Sequence, residues 1–136
     1  MFDLMPVDPA ILGFANRWYG EAVRTAQTLR LANDVEIHVV APAAFVATKL
    51  EAFLDRGRGD YLSSPDLEDV LNVVDGRPEL PYEVAAATLE LRRFVAATLD
   101  GLLAKSDFMN CLPGLVTDEN RVGVVTERLR HMAAYR

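Results

Sequence analysis

Lys49, Arg56, Asp66 and Asp69 are the residues of this chain whose types and spacing suit chemistry. With Arg58, Asp60 and Glu68 they crowd charges of both signs into the stretch Phe45–Asp69, on two short, largely apolar helices joined by a glycine-containing loop. Paired acids beside a lysine and an arginine are what phosphate and metal-ion handling require. Lys49 and Arg56 are seven residues apart, two turns on one helix face, so both cations can address one polyanion. Asp66 and Asp69 are three apart and project about 60° from each other on one flank, bordering an apolar stripe. A plainer reading stands beside each assignment: Asp66 and Glu68 suit the positive end of a helix dipole, and surface helices carry solvated lysines and arginines. Asp3 is a further candidate, because an aspartate inside the apolar run Phe2-Asp3-Leu4-Met5 must face water, a partner or a metal.

The elements that would position these groups can be read from periodicity. Residues 2–5 alternate as a short strand, and residues 20–29 carry Ala22, Val23, Ala26 and Leu29 at helical spacing. Asn33-Asp34 signals a turn before Val35–Val40, β-branched and alternating, the clearest strand pattern in the chain. Pro42 opens a helix over 43–55 that Gly57 and Gly59 close. Ser64-Pro65 is an N-cap and first-turn pair for a helix whose Leu67, Val70, Leu71 and Val74 form an apolar stripe, closed by Gly76 and Pro78. Helices are then expected over 81–104, with Leu91, Val95, Leu99 and Leu102 as the buried face, and over 119–134. Residues 107–118, with Pro113-Gly114, read as the loop between them. The expected class is α+β: one domain over 1–136, its strands in 1–41 and its helical majority in 42–136.

Composition narrows the function classes. At 136 residues the chain is long enough for a real core, and 51% hydrophobic with 25% charged residues is an ordinary globular balance. A net charge of -6 argues against a broad nucleic-acid surface. No apolar run nears the ~20 residues of a membrane span, and the N-terminus lacks the pattern of a signal peptide. The single Cys111 rules out an internal disulfide and fits a reducing cytoplasm. There is no Walker-type loop, GxGxxG, HExxH, paired CxxC or GxSxG. Trp18 and Tyr19 read as packing residues.

Lys49-Leu50-Glu51-Ala52-Phe53, Arg56 and Asp66-Leu67-Glu68-Asp69 together resemble the Lys, Arg and Asp-x-x-Asp series of nucleotidyltransferase-like proteins of the AbiEii/AbiGii abortive-infection toxin type. Asp3-Leu4-Met5-Pro6, Leu12-Gly13-Phe14 and Asn16-Arg17-Trp18-Tyr19 look like the segment of that family in which a strand aspartate supplies a third acidic group. The resemblance implies a polymerase-β-like fold, present here as a partial domain of two or three short strands followed by helices. It implies Mg²⁺ and a nucleoside triphosphate, with Asp3 as a metal carboxylate, Lys49 and Arg56 on the phosphates, and Asp66 and Asp69 positioning the lysine or sharing in catalysis. The family's Gly-Ser or Gly-Gly motif with two following aspartates is not in this sequence, so the resemblance implies the later part of such a protein, N-terminally truncated.

Two functions follow as expectations. One is metal-dependent transfer of a nucleotide from a triphosphate to an acceptor, incomplete in this chain. The other is a non-catalytic remnant or interaction module, defence- or toxin–antitoxin-related, that self-associates or binds a protein partner; two isolated strands make a marginal sheet and invite completion from outside. A small magnesium-binding helical protein using Asp66 and Asp69 is a weaker third reading.

Overall fold

A computed structural model describes Trp18 and residues 27–30, 36–39, 41–56 and 61–135 of the chain. From residue 41 onward all regular structure among the described residues is helical. Six α-helices follow one another: α1 (Pro42–Arg56), α2 (Pro65–Gly76), α3 (Leu80–Ala85), α4 (Leu89–Leu103), α5 (Ser106–Leu115) and α6 (Val122–Ala133), with a 3-10 turn at Glu119–Arg121 leading into α6. Strand pairing among the described residues is confined to one antiparallel ladder, β1 (Gln27–Arg30) against β2 (Glu36–Val39), in the register Gln27↔Val39 to Arg30↔Glu36. The expected α+β class is therefore corrected to a mostly helical fold. The strand expected over 2–5 lies outside the described residues.

Helices α1, α2, α6 and α4 form a closed ring of neighbours: α1 packs on α2, α2 on α6, α6 on α4 and α4 back on α1. Each turns an apolar stripe to the shared core, as amphipathic helices must. Val46, Leu50 and Phe53 point in from α1; Leu67, Val70, Leu71 and Val74 from α2; Leu91, Val95, Leu99 and Leu102 from α4; and Val125, Leu129 and Met132 from α6. The stripes read from α2 and α4 are thus the buried faces. Helix α3 contributes Leu80 and Val84 and touches α1, α4 and α6. Trp18 is buried against the α4 ring of Phe94, centroids 5.2 Å apart, in keeping with a packing role.

Three element boundaries differ from the periodicity. Residues 27–29, expected in a helix, belong to β1, where the ladder with β2 overrides a short helical spacing. The single helix expected over 81–104 is broken at residues 86–88. There the Thr88 hydroxyl accepts a hydrogen bond from the Leu91 amide at 3.4 Å and caps α4, so α3 and α4 can run in different directions despite the alanines between them. Most of the expected loop over 107–118 is helix α5, which begins at Ser106. Pro113 removes one amide donor near the end of that helix, and the buried stripe Phe108, Leu112 and Leu115 outweighs the loss.

Candidate functional site: a lysine between two aspartates

The start of α2 is built locally. Ser64 is extended, and its buried hydroxyl accepts from the Leu67 amide at 3.2 Å, while Pro65 supplies a first helical residue without an amide to satisfy. Asp66 and Glu68 occupy the first turn, where exposed amide ends favour negative charge. Asp66 is buried, and Asp69, one turn on, is half-buried.

Across the α1–α2 contact stands Lys49. Its Nζ lies 3.0 Å from Asp69 Oδ2 and 3.7 Å from Asp66 Oδ1. The ammonium also sits 5.6 Å from the centre of the Phe45 ring, one turn earlier on α1, which offers its negatively polarised face. Only 19% of the Lys49 side chain is exposed, so these interactions work in a partly dehydrated setting, where a charge pair is stronger than in water. One cation faces two anions, and the cluster carries a formal charge of about −1.

Of the residues singled out by type and spacing, Lys49, Asp66 and Asp69 are brought together. Arg56 ends α1, and its side chain is outside the described ones; Asp3, Arg58 and Asp60 are outside them as well. Among the described residues no group of three or more histidine, cysteine, aspartate or glutamate side chains could hold a metal ion. Asp66 and Asp69 already face an ammonium group, so the described residues do not by themselves fit magnesium, which takes an octahedron of oxygens. No helix among them is long and apolar enough to cross a membrane.

Three other charge arrangements are not foreshadowed by the motif. Arg77 and Glu83 form a two-pronged pair, Nε to Oε1 and Nη2 to Oε2, both 2.7 Å, and this bonding raises the guanidinium above its usual range. Arg121 Nε donates to Asp75 Oδ1 at 2.9 Å. Arg128 Nη1 donates to the carbonyls of Val74 at 2.9 Å and Asp75 at 2.7 Å, closing the C-terminal end of α2. One sequence signal did exist: Asp75 stands in the last turn of a helix that has no base of its own there. A carboxylate placed against helix carbonyls calls for a cation from elsewhere.

No protein-family model, curated protein or solved structure matches the chain.

Proposed function

We propose that this chain serves nucleotide phosphate handling of the nucleotidyltransferase type, the metal-dependent transfer of a nucleotide from a triphosphate to an acceptor, in the cytoplasm. Its own contribution is a held cation. The observation that carries the reading is Lys49 fixed across two helices by Asp69 at 3.0 Å and Asp66 at 3.7 Å. Two carboxylates at one ammonium restrict its rotamers, which is how a phosphate-facing lysine is prepared. Arg56, two turns further along α1, is assigned the second phosphate contact, and Asp3 the metal carboxylate. The described residues do not by themselves compose the metal's site.

The experiment is a thermal melt of the whole chain with each of the four nucleoside triphosphates and magnesium. The expected result is a rise in Tm with at least one of them, abolished in Lys49→Gln and weakened in Arg56→Gln. Unchanged stabilisation in Lys49→Gln, or none in the parent chain, overturns the reading.

One observation favours the alternative, a non-catalytic module that binds a protein partner or a second copy of itself. The Lys49 charge is already met by two acids, and an incoming phosphate must compete with both. That reading predicts a defined oligomer in light scattering and no response to nucleotide. A monomer that melts higher with magnesium nucleotide rejects it.

A further inference from the structure

Helix α2 carries Asp66, Glu68, Asp69 and Asp75 and neither lysine nor arginine. Cations from other elements hold it at both ends. Lys49 of α1 takes the two acids near its start, and Arg121 and Arg128 take its last turn. The two grips differ in kind. The α2 stripe of Leu67, Val70, Leu71 and Val74 supplies most of the attraction to the core, but apolar burial has no direction and tolerates a small slide or rotation. Arg128 donates to two successive carbonyls at 2.9 and 2.7 Å, and Arg121, in the turn that leads into α6, donates to the Asp75 carboxylate at 2.9 Å, so this grip fixes axial position. A helix transmits such a constraint along its length at ~1.5 Å per residue with little give. Asp69 precedes Asp75 by six residues on the same short rod.

We infer that Arg128, assisted by Arg121, is a positioning residue for the Lys49 cluster: the C-terminal helix sets where along α1 the α2 acids meet the lysine. The functional meaning of this register rests on the phosphate reading of Lys49, whereas its physical content does not.

The chain permits an unusually direct test, because Lys49 and Lys105 are its only lysines. Lys105 is exposed just ahead of α5 and serves as an internal reference. Well below the melting temperature, the folded chain is treated briefly with an amine-acetylating reagent, and the Lys49-to-Lys105 labelling ratio is read by mass spectrometry. Arg128→Lys keeps the charge but cannot span two carbonyls in the same geometry; Asp75→Asn removes the Arg121 ion pair without altering α6. Each is expected to raise the ratio by about three-fold or more, as Lys49 spends more time released from its acids. Val95→Ala, a core truncation on α4, is the control and is expected to lower Tm while leaving the ratio at the parent value. The inference is overturned if Arg128→Lys and Asp75→Asn lower Tm without moving the ratio, or if Val95→Ala moves it equally. Should Arg128→Lys not fold, Asp75→Asn decides alone. A parent chain that ignores magnesium nucleotide while its variants shift the ratio rejects the phosphate reading and keeps the coupling, so the two failures are distinguishable.

Discussion

Lys49 is a long, flexible side chain whose ammonium meets three groups: the Phe45 ring, Asp69 and Asp66. Exposed ion pairs contribute little, since water screens them and ordering two side chains costs entropy. Here Asp66 is only 10% exposed at its side chain, which raises the worth of its charge partner, while Asp69 at 35% remains partly screened. A double-mutant cycle of Lys49→Met and Asp69→Asn, followed by urea unfolding, is therefore expected to give a coupling of about 0.5–1 kcal/mol. A coupling near zero would mean the 3.0 Å contact holds nothing in place. Spacing anticipated the shared flank of Asp66 and Asp69, which follows from helix geometry alone, but not their meeting with Lys49. The Arg121–Asp75 contact spans 46 residues of chain, and no same-helix rule reaches that far.

Helix boundaries here were decided wherever a local signal competed with packing. Ser64-Pro65 is a strong local start, and α2 begins at Pro65. Ser64→Ala is expected to lower stability by about 1 kcal/mol, the usual worth of such a cap, with an unchanged dependence on denaturant; a loss below about 0.3 kcal/mol would show that burial of the α2 stripe alone anchors this turn. Pro113-Gly114 is a strong local stop signal, yet α5 runs through it, because Phe108, Leu112 and Leu115 find a place in the core. The alanines at 85–87 favour helix, yet α3 ends there and α4 starts afresh from the Thr88 cap, with both helices touching α1 and α6. Propensity is a weak prior, and burial overrides it in both directions.

At the scale of the whole molecule, one core joins all six helices, and an aromatic series ties its edge together. Phe53 of α1 stacks on Tyr61 at 6.0 Å, and Tyr61 meets Phe108 of α5 edge-on at 5.7 Å. Phe108 is 1% exposed, so Phe108→Ala is expected to cost about 3–5 kcal/mol, read as a large fall in the urea midpoint. A loss under about 1 kcal/mol would mean that α5 is only loosely docked. The α+β expectation failed at this scale for a physical reason. Two well-patterned segments near the start suggested a sheet, but the described strand pairing stops at four residues a side, and the buried surface comes from helix against helix.

By itself, the sequence determined the helical stripes of α2 and α4, the cap at Ser64, and the shared flank of Asp66 and Asp69. All of these rest on periodicity and on hydrogen bonds within a few residues. Only the tertiary structure decided which helix each stripe would meet. Apolar burial names no partner, and the choice among helices depends on how whole surfaces fit. That choice set Lys49 opposite the two aspartates and brought Arg128 to the far end of the helix that carries them.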